Sequence, residues 1–113
     1  MSTHFRILAE HDRRIIELSL PAQIESIEFD ALYASLSKEI LAWPGGKWMI
    51  DLAAAEYYGS ALLGLLVNLR THVRKVRGKM VLCCIQPPLQ RVIDLGNLHR
   101  LFVIAPDRSS GLT

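Results

Sequence analysis

Ser60 is the side chain of this sequence best placed for regulated chemistry. It follows Gly59 and precedes a long run of residues with helical spacing. A serine in that position can be the N-cap of the helix, while Gly59 allows any positive φ that the entry turn requires. A phosphate on Ser60 would bring nearly two negative charges to free helix amides, which the helix dipole favours. Capping and phosphorylation are compatible, and the sequence leaves both open.

The other polar residues give little support for catalysis. Ser60 has no G-x-S-x-G context, and His72 projects about 120° away from it on the predicted helix. Asp51 and Glu56 could form a carboxylate pair, but acids at a strand end and in a loop more often cap backbone groups or face solvent. The sequence contains neither a P-loop nor a dinucleotide-binding glycine pattern. We therefore predict that the protein is not an enzyme and expect no cofactor.

Cys83 and Cys84 are neighbours in the apolar run MVLCCI. No His or Cys at the spacing of a zinc site lies nearby, and the four histidines are scattered along the chain. Adjacent strand residues point to opposite faces, so the two thiols are not expected to pair in an undistorted strand. We interpret both cysteines as small buried apolar side chains and expect no metal site.

Length and composition fit one globular domain. The chain has 113 residues, of which 50% are hydrophobic and 21% charged, so we predict a single domain over 1–113 with loose ends at 1–4 and 107–113. Its longest apolar-plus-glycine stretch, 61–67, is far shorter than the ~20 residues of a membrane helix. The N-terminus has no apolar signal region, which predicts a cytoplasmic protein without membrane insertion.

Charge is distributed unevenly along the chain. Residues 1–56 carry five basic and nine acidic groups, whereas residues 57–113 carry eight basic and two acidic groups. No acidic residue lies between Glu56 and Asp94. This asymmetry is compatible with an acidic partner and equally with a solvated basic flank. The basic groups scatter around the predicted helix and no stacking aromatics interleave them, so we do not predict nucleic-acid binding.

Hydrophobic periodicity predicts the element order β, β, α, β, α, β, α, β. Predicted strands cover 5–10, 15–20, 47–52, 79–85 and 101–105, and predicted helices cover 27–41, 60–77 and 87–95. This alternation implies an α/β fold: a mainly parallel, mixed sheet with an N-terminal hairpin and helices crossing between strands. Partners of such sheets commonly meet the loops at the carboxyl ends of the strands. The loop AAAEYYGS at 53–60 is therefore the first candidate for a functional site.

One flank of the helix after this loop combines apolar residues with arginines and reaches Ser60. With Leu62 set to zero, the flank spans about 80° to 160°, beside the core stripe. Two loop tyrosines add large amphipathic surfaces. We call the predicted partner-binding residues the docking strip: Tyr57, Tyr58, Gly59, Ser60, Leu63, Val67, Arg70 and Arg74. Partner docking and simple burial of Leu63 and Val67 under a neighbouring helix both remain open.

Four short segments follow one another along the second half of the chain: IDL at 50–52, GSALL at 59–63, GKMV at 78–81 and GNLHRLF at 96–102. Their order and spacing resemble the STAS domain of bacterial anti-sigma-factor antagonists. That family has a strand ending in Asp-Leu, a loop with an Asp-Ser-Ser/Thr-Gly-Leu motif, a helix, a Gly-terminated turn and an apolar strand. A further helix ends near Gly and Leu before Leu-Phe. The resemblance covers roughly the whole chain and implies a STAS-like fold.

The resemblance also implies a function in transcription regulation by partner switching. An antagonist of this family binds an anti-sigma factor that is also an ATP-dependent serine kinase, and phosphorylation of the motif serine breaks the complex. Ser60 matches that serine, whereas Gly59, Ala61 and Leu62 replace the motif aspartate, second hydroxyl residue and glycine. The implied partner is an anti-sigma-factor kinase. The alternative is an unphosphorylated STAS scaffold or accessory subunit of a transporter or signalling assembly, and an exposed sheet edge would also allow a homodimer.

Overall fold

The computed structural model describes residues 4–109 and arranges them around a five-stranded sheet. The strands are β1 (Phe5–Glu10), β2 (Arg13–Leu20), β3 (Lys47–Ala55), β4 (Lys79–Cys83) and β5 (Val103–Ala105). The helices are α1 (Ser26–Leu41), α2 (Ser60–Lys75) and α3 (Pro87–Leu95), followed by a 3-10 turn at Leu98–Arg100. The strand order in the sheet is β1-β2-β3-β4-β5. β1 and β2 are antiparallel and the remaining pairs are parallel, which confirms the predicted fold class.

The N-terminal hairpin turns at His11 and Asp12. His11 has a φ of 39°, in the left-handed region that tight hairpin turns require. β2 begins at Arg13, two residues before the predicted start at 15, because Arg13 and Arg14 pair with Glu10 and Ala9 of β1. Backbone pairing does not require apolar side chains, so the hydrophobic pattern missed this first part of the strand.

The inner face of the sheet carries the main core. One row of apolar side chains crosses all five strands in register: Ile7, Ile16, Ile50, Leu82 and Ile104. All three helices pack on this face, with residues such as Leu36, Leu69 and Ile93 each 0% exposed. Burial of that order stabilises each side chain by roughly 1.5–3 kcal/mol. Among residues 4–109, no helix is long and apolar enough to cross a membrane.

The two long helices are joined to each other as well as to the sheet. The hydroxyl of Tyr33 on α1 lies 2.6 Å from Nε2 of His72 on α2, and their rings are 5.5 Å apart between centroids. This contact lies on one side of α2 and holds the helix in a defined rotation about its axis. The rotation of α2 also sets which residues of this helix, beginning with Ser60, face outward.

β3 is longer than its apolar run predicts. The strand continues to Ala55, whereas the sequence predicts an end at 52 and assigns 53–55 to the loop. The reason is pairing with β2, in which Ala54 and Ala55 lie opposite Ser19 and Leu20. Alanine has a low intrinsic strand preference, so tertiary contacts override it here. The loop before α2 therefore has four residues, 56–59.

The turn after α2 also differs from prediction. The helix ends at Lys75 instead of 77, and Arg77, not Gly78, has the left-handed φ of 61°. Gly78 is required for a different reason: a Cβ there would lie 2.6 Å from the carbonyl oxygen of Gly46. The glycine thus permits the close approach of two chain segments.

The outer face of the sheet has a second, smaller core and is crossed by the C-terminal segment. Ile15, Met49 and Cys83 are buried on this face. Arg13 donates a hydrogen bond of 2.9 Å to the carbonyl oxygen of Arg108 and so ties the segment to β2. Arg108 is therefore held, although the sequence predicts a loose end at 107–113. At the other predicted loose end, Ser19 donates to the carbonyl oxygen of His4, while 1–3 and 110–113 lie outside the described residues.

Candidate functional site

Ser60 is exposed at the carboxyl end of β3, as the first residue of α2. The prediction that it is the N-cap is wrong, because Gly59 occupies that position with extended backbone (φ −84°, ψ 175°). This shifts Ser60 one residue into the helix, where its side chain no longer reaches the first-turn amides. Within residues 4–109 the hydroxyl of Ser60 has no hydrogen-bond partner. It is therefore open to a modifying enzyme or to a protein partner.

Gly59 owes its place to packing. The entry turn does not use the positive φ that glycine allows, since the φ of Gly59 is −84°, which is accessible to any residue. A Cβ at Gly59 would lie 2.4 Å from the hydroxyl oxygen of Tyr57, whose ring packs on Phe29 of α1 with centroids 5.0 Å apart. The glycine lets Tyr57 fold against the start of α2. Tyr57 and Tyr58 are both half-buried. The loop is thus anchored at Tyr57 and turns Ser60 outward.

The electrostatics of α2 favour an anion at Ser60. The first turn of the helix contains no acidic residue, whereas the last turn contains His72, Arg74 and Lys75. The basic residues complement the negative end of the helix dipole, while the positive end has no acidic side chain within its own turn. A phosphate on Ser60 would supply that missing negative charge.

The docking-strip flank of α2 lies away from α1. On the helical wheel His72, which contacts α1, falls at about 280°, opposite the flank at about 80° to 160°. Leu63, Val67 and Arg70 are half-buried and Arg74 is exposed. α1 therefore does not cover the flank, although Leu63 and Val67 do pack against the core.

Next to this flank runs a groove of about 280 Å³ that the sequence analysis missed. It forms because β5 begins opposite Val81, so the first two residues of β4 have no β5 neighbour. Arg70, Arg74 and Lys79 line it together with Met80 and Phe102. Within residues 4–109 neither arginine has an ion-pair partner. The groove therefore presents uncompensated positive charge above an apolar floor, at the end of the flank remote from Ser60.

The model of the STAS domain family matches residues 6–111. This chain belongs to the STAS domain family. The anti-sigma F factor antagonist of Paenibacillus polymyxa is 20% identical to this STAS domain over 110 residues, which cover 97% of this chain and 94% of the relative. The relationship therefore extends over nearly the whole of both proteins.

Two solved structures have the same fold as this STAS domain. An anti-sigma-factor antagonist (STAS) domain protein from Planctomyces limnophilus matches with a TM-score of 0.79 at 19% identity, over 93% of this chain and 92% of that one. The Bacillus cell fate determinant SpoIIAA, in its phosphorylated form, matches with a TM-score of 0.64 at 16% identity, over 89% and 90% of the two chains. The family and fold predicted from the four sequence segments are confirmed.

A second polar cluster lies on the outer face of the STAS domain, around Arg108. Its guanidinium Nε donates to Asp51 at 2.7 Å, and its Nη2 hydrogen-bonds to Glu17. Asp51 is only 7% exposed and also accepts a hydrogen bond from the amide of Ala53 at 2.9 Å. The hydrogen bond from Ala53 confirms the prediction that Asp51 caps a backbone group, whereas the ion pair with Arg108 was not predicted. The guanidinium of Arg108 lowers the pKa of the Glu17 carboxyl, and the same contacts raise the pKa of Arg108.

The two cysteines of the STAS domain lie beside this cluster. Cys83 is the last residue of β4 and is buried, whereas Cys84 follows the strand and has a φ of 61°. The left-handed backbone turns Cys84 back, so that the two Sγ atoms are 3.3 Å apart. The opposite-face geometry of an undistorted strand does not apply, because Cys84 is no longer in a strand, and both cysteines are free. The prediction that both are buried is correct for Cys83 and wrong for Cys84, which is half-buried. Burial raises the pKa of both thiols, so both are protonated at neutral pH.

Proposed function

We propose that this STAS domain is a non-enzymatic regulatory module that acts as an anti-sigma-factor antagonist in partner switching. The observation that carries the proposal is the exposed Ser60 hydroxyl at the start of α2, next to a flank that α1 leaves open. The names of the related proteins, which are anti-sigma-factor antagonists, support the same function. The first partner to test is an anti-sigma factor with serine kinase activity.

The docking strip offers a partner two kinds of contact. Leu63 and Val67, both half-buried, would be covered further, and the aromatic surface of Tyr58 would extend that apolar area. Arg70 and Arg74, which have no ion-pair partner among the described residues, would pair with acidic side chains of the partner. Partner recognition thus uses the positive half of the chain and needs no rearrangement of the core.

Phosphorylation would reverse this recognition through charge. Transfer of the γ-phosphoryl group of ATP to Oγ of Ser60 releases ADP and places nearly two negative charges at the surface that faces an acidic partner. The helix amides stabilise the phosphate, while a partner that covers Ser60 would have to bury the phosphate charge without a cation to pair it. The domain therefore stays folded and the complex dissociates. This chain supplies the acceptor hydroxyl only, and all catalytic groups come from the kinase.

Ser60→Asp tests the switch. We expect it to weaken binding to the anti-sigma-factor kinase by about tenfold or more, because one fixed negative charge faces the partner. Isothermal titration calorimetry would measure the dissociation constant, and mass spectrometry after incubation with kinase and ATP would locate the phosphate.

The chain contains a matched control, since Ser26 is the exposed first residue of α1 just as Ser60 is of α2. Ser26→Asp should change affinity by less than about twofold, because it lies outside the docking strip. If Ser60→Asp and wild type bind the partner equally and the kinase places no phosphate on Ser60, the proposed phosphorylation switch is wrong.

Arg74→Glu and Leu63→Asp test the docking strip itself. Each is expected to weaken partner binding by about tenfold or more, with thermal unfolding showing that the variant remains folded. Lys38→Glu is the control, because Lys38 is an exposed cation in the last turn of α1, as Arg74 is in α2. Wild-type affinity in both folded docking-strip variants would place the interface elsewhere.

A second candidate function is that of a STAS scaffold that binds its partner without phosphorylation. The observation that favours it is Leu62, which is 0% exposed and occupies the place of the family glycine. Ala61 likewise replaces the second hydroxyl residue of the motif. Under this alternative the docking-strip variants still lose binding, whereas neither kinase treatment nor Ser60→Asp affects it. The two sets of variants together therefore distinguish a switch from a scaffold.

A further inference from the structure

We infer that Asp51, Cys83 and Cys84 form a binding site for a thiophilic divalent metal ion of the zinc class. The ligand atoms of these three residues all lie within 4.8 Å of one another. The site is on the outer face of the sheet and is independent of Ser60 and the docking strip. It goes beyond the proposed function, so the two can fail separately.

The distance between the two sulfurs requires little change for a metal to bind. Two sulfurs on one tetrahedral zinc ion lie about 3.8 Å apart, given Zn–S bonds of ~2.3 Å. The two Sγ atoms are 3.3 Å apart before any ion is bound. Cys83 and Asp51 are fixed opposite each other in β4 and β3. Cys84 lies beyond the strand and is half-buried, so its side chain can make the remaining adjustment.

A metal fits this pair better than a disulfide does. Adjacent Cα atoms are about 3.8 Å apart across a trans peptide, shorter than the ~4.4–6.8 Å of ordinary disulfides. A disulfide would also require the sulfurs to approach to ~2.05 Å, which strains the ring that two neighbouring residues would close. A metal ion bridges the sulfurs at nearly their present separation. Soft thiolate ligands together with one carboxylate oxygen suit zinc and cadmium.

The charges around the site also suit a bound cation. Binding converts both thiols to thiolates and releases two protons to solvent. Two thiolates and the Asp51 carboxylate then exceed the two positive charges of the ion by one negative charge. Arg108, 2.7 Å from Oδ2 of Asp51, also pairs with Glu17, and Glu17 pairs in turn with Arg6. The two guanidinium groups offset both the excess and the Glu17 carboxylate, so the cluster with its ion is neutral. Each carboxylate oxygen of Asp51 accepts one hydrogen bond and keeps a second lone pair for the metal.

Cadmium titration of the reduced, metal-free full chain tests the site. We expect a thiolate-to-cadmium charge-transfer band that saturates at one ion per chain, release of two protons per ion, and a Kd below about 10 μM. Zn²⁺ should compete with Cd²⁺. Cys84→Ser is expected to abolish the band, or weaken binding by about a hundredfold, and Asp51→Asn to weaken binding about tenfold while part of the band remains.

Glu17→Gln is the matched control. Glu17 lies opposite Asp51 in the sheet and shares Arg108 with it, but it is not a proposed ligand. This variant should keep the one-to-one stoichiometry and bind within about threefold of wild type. Three results would each overturn the inference. The folded wild-type protein could show no charge-transfer band, or folded Cys84→Ser could bind Cd²⁺ as wild type does. The third is that the two thiols form a disulfide in the presence of Cd²⁺.

Discussion

Leu69→Ala is expected to lower the free energy of unfolding of this STAS domain by about 3–5 kcal/mol. Leu69 lies on the buried face of α2 and is 0% exposed. Its truncation removes three buried carbons and leaves a cavity between α2 and the sheet that neither element can fill without moving. Urea unfolding followed by circular dichroism would measure the change.

Leu95→Ala is the control for this effect. Leu95 ends α3 and is 82% exposed, so the same truncation should change stability by less than about 0.5 kcal/mol. If Leu69→Ala lowers the free energy of unfolding by less than about 1 kcal/mol, the packing of α2 on the sheet through Leu69 is contradicted. Because α2 carries Ser60 and the other helical residues of the docking strip, that result would also contradict the geometry of the functional site.

Arg108→Gln is expected to lower the free energy of unfolding by about 2–3 kcal/mol at neutral pH. The variant leaves the nearly buried Asp51 carboxylate without its cation. Breaking a buried ion pair costs ~3–5 kcal/mol. The expected cost here is smaller because Arg108 is itself partly exposed. Arg6→Gln is the matched control, since Arg6 also pairs with Glu17 but has a side chain that is 70% exposed. Its loss should cost less than about 1 kcal/mol.

The pH dependence of the Arg108 effect follows from Glu17. Arg108 holds the folded-state pKa of Glu17 below its ordinary value of 4.5, so the folded protein binds fewer protons than the unfolded chain in acid. The stabilisation is fully present above that ordinary pKa and is lost as pH falls through the lower folded value. The stability difference between wild type and Arg108→Gln should therefore shrink as pH falls below 4.5. A difference that stays constant from neutral pH into acid would mean that the charge pair is not its origin.

The element order and the family could be predicted from the sequence because they depend on local patterns. The short apolar run KWMIDL is typical of a buried strand, and the spacing of Leu62, Leu66 and Leu69 by four and three residues is typical of a helix. The exposure of Ser60 followed from the same pattern, since it lies between a buried strand and an amphipathic helix. Its exact helical position did not, because Gly59 was free to become the N-cap.

Tertiary structure alone decided the polar contacts of the outer face. Arg108 meets Asp51 and Glu17 across 57 and 91 residues of sequence, and no periodic pattern encodes such a pairing. The meeting of the two thiols depends on one backbone angle at Cys84, where the chain leaves β4. Hydrophobic periodicity reflects an average over many residues and survives such local deviations. A site made of three or four atoms does not, because it requires each backbone and side-chain angle to be set by its neighbours in space.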